Sequence, residues 1–183
     1  MVIKVAWAIT GAGDYLAECF EVMKQAIQQF DLELMVFLSK AGLQVVNWYK
    51  LLPALEVLDP KYRVEKDANT PFLVAPLQRR KYHVIVAMPL TANSAAKLAH
   101  GIADTLITNA IAQAQKTGVP VYMYPVDQKP GSVTTILPSG EELVLTNRQI
   151  DLDNVERLRA MEGFHILEHP KEFLAVLEAF PRV

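Results

Sequence analysis

Four apolar runs in this chain are almost unbroken, and that feature narrows the choice of folds more than any other. They are Val2 to Ile9, interrupted only by Lys4, then Leu32 to Leu38, His83 to Met88 and Val119 to Pro125. A strand that meets water on one face alternates apolar and polar residues; near-continuous runs belong to strands covered on both faces of a parallel sheet. Between the first two runs, Leu16, Phe20, Met23, Ile27 and Phe30 recur at helical spacing, with Asp14 expected as the N-cap and Asp31 near the end. Strand, glycine turn and helix therefore open the chain. The stretch "KAGLQVVNWYKLL" after the second run predicts a short helix and completes a βαβ unit.

The segment from Pro53 to Arg80 carries Pro53, Pro60, Pro71 and Pro76 and has the least periodicity, so it predicts loop with at most one short strand. From Pro89 to Thr117 the pattern predicts one long or two broken helices, stopped by Gly118 at C′. "VTTILPSGEELVLT" is two alternating runs around Pro138-Ser139-Gly140, a β-hairpin appended to the sheet. Leu152, Val155, Leu158 and Met161 mark a helix that ends at Gly163; a strand "FHIL" and a last helix opened by Pro170 follow. The alternation predicts one α/β domain over 1–183, a doubly wound, Rossmann-like and mostly parallel sheet whose ligands sit beyond the carboxyl ends of the strands.

The composition excludes several functions. Eighteen Lys and Arg against 20 Asp and Glu give a formal charge of −2, so no basic field gathers nucleic acid. Cys19 is the single cysteine and cannot build an internal disulfide, an iron–sulfur cluster or a four-cysteine zinc site. Redox chemistry on this chain would need an organic cofactor. The start "MVIKVAWAITGAG" lacks a strongly basic leader and no stretch approaches a membrane span, so a cytoplasmic location is expected.

Three strand ends carry the candidate binding residues: Thr10-Gly11-Ala12-Gly13, Ser39-Lys40-Ala41-Gly42 and Thr91-Ala92-Asn93-Ser94. Each combines hydroxyl or amide side chains with small residues, and two of them open a helix. A phosphate monoester needs converging N–H donors at a positive helix end, with little side-chain bulk to keep it away. The first tip is not a dinucleotide fingerprint, because Leu16 stands where a third glycine is required and Ser39 where the ribose-binding acid would be. No Walker A sequence occurs. Hydroxyls suit a terminal phosphate or ribityl chain better than a ribose diol, which favours FMN over NAD. A flavin-free turn at each tip remains the plainer alternative for any one of them.

Among other residues, Tyr15 is the candidate for stacking on a ring, whereas Trp7, Trp48 and Tyr49 suit a core. Asp104 sits among apolar neighbours, which suits a buried or interfacial role as well as a solvated one. His165 and His169 span a strand and a helix cap rather than one helix face, so they do not form a metal pair, and no metal site is expected. Lys40 and Arg148 read as surface charge. No side chain identifies itself as a proton donor, so the catalytic residues are unassigned.

"AWAITGAG", "FLSKAG", "VIVAMPLTANSAAKLAHGIADTLITNAIAQA" and "RQIDLDNVERLRAMEGFHIL" together resemble the flavoprotein family of Cys decarboxylases, flavin prenyltransferases and archaeal flavoproteins. Within it, the likeness is strongest to the branch of FMN-containing dihydromethanopterin reductases. The resemblance covers nearly the whole chain. It implies an FMN held between subunits of a homotrimer or a multiple of it, with contacts from Gly11, Ala12, Gly13, Ser39, Thr91, Ala92 and Asn93. Asn109 lies where relatives often place an Arg, a departure that affects one phosphate contact. Family decarboxylases carry a His base ahead of the strand that begins here at His83; none occurs between Pro60 and Tyr82, so decarboxylation is disfavoured. The resemblance implies hydride transfer from reduced flavin to a dihydropterin, in one-carbon metabolism, with electrons from a nicotinamide or a protein. An electron carrier fed by ferredoxin, and a flavin-free structural or nucleotide-sensing domain, are the other readings.

Overall fold

The computed structural model describes residues 2–71 and 73–180. The apolar runs form the strands β1 (Ile3–Ile9), β2 (Leu32–Leu38), β4 (Val84–Leu90) and β5 (Val121–Pro125), joined in one sheet by the short strands β3 (Arg63–Val64) and β8 (Phe164–Ile166). The order is β3-β2-β1-β4-β5-β8 and every pairing is parallel. The remaining two strands, β6 (Ser132–Ile136) and β7 (Glu142–Thr146), pair antiparallel as the expected hairpin, separate from the main sheet.

Helices cover both faces, which is why the strands lack alternation. Trp7, Val36, Val86 and Met88 point to the side packed by α1 (Leu16–Gln29) and α8 (Glu172–Glu178), where Phe20, Met23 and Phe173 meet them. Ala6, Ala8, Phe37, Ile85 and Ala87 point the other way, against α5 (Ala92–Ala99), α6 (Leu106–Thr117) and α7 (Gln149–Arg159). Apolar area lost to solvent on both faces is the main term holding the domain together.

Local signals explain the helix ends. Thr91 Oγ1 accepts from the Ser94 amide at 3.2 Å and caps α5. Thr105 and Thr108 form a reciprocal capping box at the start of α6, and Gly118 ends that helix in the left-handed region at φ 72°. Two expectations fail. Asp14 is not the cap of α1: Tyr15 takes that place with φ 57° and no side-chain bond, because Asp14 is drawn to the hairpin, where its Oδ1 accepts from Thr135 Oγ1 at 2.7 Å. The segment from Pro53 to Arg80 has the expected loops and single short strand, but it also contains helices. It holds α3 (Leu52–Leu58) and α4 (Val74–Gln78) beside β3, with Pro53 tolerated in the first turn of α3, where its missing N–H costs nothing. Asp104 is exposed, paired with Lys97 Nζ at 2.8 Å, rather than buried.

Candidate functional site at the switch point of the sheet

From β1 the chain steps outward to β2 and β3, then returns to add β4, β5 and β8 on the other side. Adjacent connections therefore leave in opposite directions at the carboxyl ends of β1 and β4, and a crevice opens there. The tips of β1, β2 and β4 are bound together by direct hydrogen bonds. The Ser39 amide donates to Ile9 O at 3.0 Å, the Thr10 amide to Pro89 O at 3.3 Å, and the Thr91 amide to Thr10 Oγ1 at 2.9 Å. Thr10 is buried, and its hydroxyl also donates to Pro89 O at 2.9 Å. Its side chain thus holds two strand ends in register rather than presenting itself to the crevice.

The crevice is a cavity of about 360 Å³, with Gly11, Ala12, Gly13 and Thr91 on one side and Asp127 beyond the end of β5. Apolar walls come from Val45, Trp48, Val126 and the hairpin residues Leu137, Leu143 and Leu145. A Cβ on Gly11 would lie 2.6 Å from Ala41 Cβ, and one on Gly13 would lie 2.5 Å from the Tyr49 hydroxyl. Small residues are therefore required for the tip of β1 to lie this close to α2 (Lys40–Trp48). The hairpin is fastened over the tip by two bonds: Thr135 Oγ1 to Asp14, and the Tyr49 hydroxyl to Ile136 O at 2.8 Å.

The other predicted residues surround this cavity without lining it. Ser39 Oγ accepts from the Gly42 amide at 2.9 Å and caps α2. Ala92 and Asn93 form the first turn of α5, and the Ala92 amide donates to the Asp127 carboxylate. Asn109 is set apart on α6, its Nδ2 donating to Ala68 O and Asn69 Oδ1, both at 3.0 Å. Glu65 serves two helix starts at once, accepting from the Leu106 amide at 2.9 Å and the Lys40 amide at 3.4 Å. Tyr15 is half-exposed, its ring edge-on to Tyr124 at 5.3 Å and to His169 at 6.0 Å.

Asp127 and Thr135 carry no signal in the sequence, and Asp14 and Tyr49, expected as a helix cap and a core residue, line the crevice instead. Burial pushes the Asp127 carboxyl above the ordinary range, with the charges of Asp151 and Asp14 adding to it; the Ala92 N–H and Arg148 oppose this. Burial, and then Asp14, also raise the Tyr49 phenol. No trio of His, Cys, Asp or Glu positioned for a metal occurs among the described residues. None of the helices among them is long and apolar enough to cross a membrane.

The sequence and the fold recur in known proteins. Residues 2–180 match the flavoprotein family. The chain belongs to that family. It is 50% identical over 175 residues to an uncharacterized protein of Methanocaldococcus jannaschii, covering 96% of this chain and 94% of the other. A dihydromethanopterin reductase (acceptor) of the same organism is 31% identical, with 94% of each chain covered. Among solved structures, the flavoprotein fold matches DmrB of Burkholderia xenovorans in complex with FMN, a cubic protein cage for redox transfer, with a TM-score of 0.77. The two are 34% identical, and 96% of this chain and 93% of DmrB are covered. The FMN-dependent cysteine decarboxylase TvaF, at 22% identity and a TM-score of 0.62 over 95% of this chain and 94% of TvaF, shares the fold.

Proposed function

We propose that this flavoprotein is an FMN-dependent oxidoreductase that reduces a dihydropterin of the dihydromethanopterin type to its tetrahydro form. The observation that carries the reading is the crevice at the switch point, built from glycine and alanine tips and closed by apolar walls. It occurs in a chain 31% identical over nearly its whole length to a dihydromethanopterin reductase. The fit to FMN rests on the crevice itself. Gly11 and Gly13 let the tip of β1 lie close against α2, α5 begins beside that tip with the positive end of its dipole, and Val45, Trp48 and Val126 offer a surface for a planar ring. Gly11, Ala12, Gly13 and Thr91, which line the crevice, would hold the cofactor together with Ser39 at the start of α2 and Ala92 and Asn93 at the start of α5; Thr10 acts through the strand ends that it locks, and Asn109, bonded to Ala68 and Asn69, takes no part. Once bound and reduced, FMN supplies a hydride to a substrate carbon.

The protein's own part is positional. Thr10 locks the ends of β1 and β4 so that their small residues face one space, and Thr91 starts α5 beside them. The hairpin shields the space from water, which strengthens every polar contact inside. A homotrimer or a multiple of it, supplying further walls from neighbouring copies, belongs to the same reading, as does a nicotinamide or protein electron donor. Anaerobic mixing of the chemically reduced, FMN-loaded protein with a dihydropterin tests it. Flavin absorbance should return as tetrahydropterin forms; protein that stays reduced in the presence of dihydropterin but is reoxidised by an electron-transfer protein is instead a ferredoxin-linked carrier.

A further inference from the structure

Reduction of a C=N bond consumes a proton as well as a hydride, and an acid held beside the nitrogen would speed that transfer. Three titratable side chains line the crevice: Asp14, Tyr49 and Asp127. Asp14 is engaged with the hairpin, its Oδ1 accepting from Thr135 Oγ1. Tyr49 spends its proton on Ile136 O and is held in the protonated form by burial and by Asp14. Asp127 differs from both. It is partly buried, follows the end of β5, and borders the same space as Gly11–Gly13 and Thr91. Its backbone is anchored on both sides, by the Val126 amide to Leu90 O at 3.1 Å and by the neighbouring Gln128 Nε2 to Leu167 O at 2.9 Å.

We infer that Asp127 is the acid that protonates the substrate nitrogen, on the reading of the crevice given above. Asp14 faces it from the loop after β1, Asp151 and Arg148 from the start of α7, and the Ala92 N–H from α5. A residue needed only to cap α5 could be a Ser or Asn, with no penalty from two neighbouring carboxylates. A carboxyl set between them is instead kept protonated further up the pH scale, where a general acid works. The Asp127 O–H bond breaks and an N–H bond forms, the C=N π pair becomes the new N–H pair, and the carbon receives the hydride from reduced flavin. The carboxylate left behind regains its proton from solvent.

The test compares FMN-loaded wild type, Asp127→Asn and Asp151→Asn by single-turnover reduction of a dihydropterin across pH and by ¹³C NMR titration of aspartate carboxyls. A general acid contributes roughly 100-fold or more. Wild type should slow as pH rises through the Asp127 titration, and D127N should lose that limb and at least about 100-fold in rate, with dihydropterin affinity retained. D151N removes a negative neighbour and leaves Arg148 unpaired, so both the limb and the Asp127 resonance should move to lower pH. A D127N protein with the wild-type limb, or an Asp127 carboxyl titrating in the ordinary range, overturns the assignment. Wild type that leaves the dihydropterin unreduced overturns the functional reading, and the proton step with it. Wild type that turns over while D127N matches it overturns the proton step alone.

Discussion

Two glycines a few residues apart in space carry different loads. A Cβ on Gly42 would collide with the Ile9 carbonyl oxygen, a backbone atom fixed in the central strand, so Gly42→Ala should unfold the protein more easily by about 1–3 kcal/mol in denaturant titrations. A side chain at Gly11 meets the side chain of Ala41 at the rim of the crevice. Gly11→Val should therefore push the tip of β1 away from α2, so that flavin absorbance is lost through gel filtration while the far-ultraviolet circular dichroism falls by a smaller fraction. Asp127 sets the pH response. In the unfolded chain its carboxyl ionises at about 3.9, whereas in the native protein burial, Asp151 and Asp14 delay ionisation. Between those two values the native state holds the extra proton, so stability falls as pH rises and the penalty is complete above the native value. Asp127→Asn keeps an oxygen for the Ala92 amide but removes the buried charge. Its Tm should gain on wild type progressively from about pH 4 to neutrality, and a gap that stays constant with pH would contradict this.

The hairpin stands apart from the main sheet. Thr135–Asp14 and Tyr49–Ile136 fasten it to the tip of β1, and every residue of β7 is exposed. A hydrogen bond contributes about 1 kcal/mol, and one to a charged group more. The double variant Tyr49→Phe, Thr135→Val should raise amide hydrogen exchange across 132–146 by about 30-fold or more while leaving β1 and β4 protected. These fastenings were invisible in the sequence for a physical reason. Thr135 is 121 residues from Asp14, and a carboxylate next to a helix start has a local use, as N-cap, that the longer-range bond displaces. Strands were legible because burial on both faces writes itself as an unbroken apolar run. The helices between Pro53 and Arg80 were not, since α3 and α4 span 7 and 5 residues, too short to establish a period. The tips of β1, β2 and β4 could be found because turn chemistry and helix caps are local. Asp127 could not, because a carboxylate after a strand looks the same whether water or two other carboxylates surround it.

For the molecule as a whole, the distribution of apolar surface argues for assembly. Both faces of the main sheet are covered, yet Leu143, Val144 and Leu145 on β7 remain 41%, 63% and 50% exposed, with Ile136 at 51% beside them and Trp48 at 54% on the wall of the crevice. Consecutive exposed apolar residues on one short strand are costly for a monomer in water and are the kind of patch that another subunit covers. Leu143, Leu145 and Trp48 also line the crevice, so a copy docked on the hairpin would at the same time close the cofactor space. Assembly and FMN retention are then linked, because a ligand that binds only the assembled form stabilises it by mass action. Val144→Glu points a charge from the most exposed of these positions without touching the residues that line the crevice. Light scattering coupled to gel filtration should give a trimer or a multiple of it for wild type and a smaller species for V144E, with unchanged far-ultraviolet circular dichroism and weaker FMN binding. A V144E protein of wild-type mass, or a monomeric wild type that keeps its flavin, would mean that the hairpin surface is left to solvent and that one chain holds the cofactor alone.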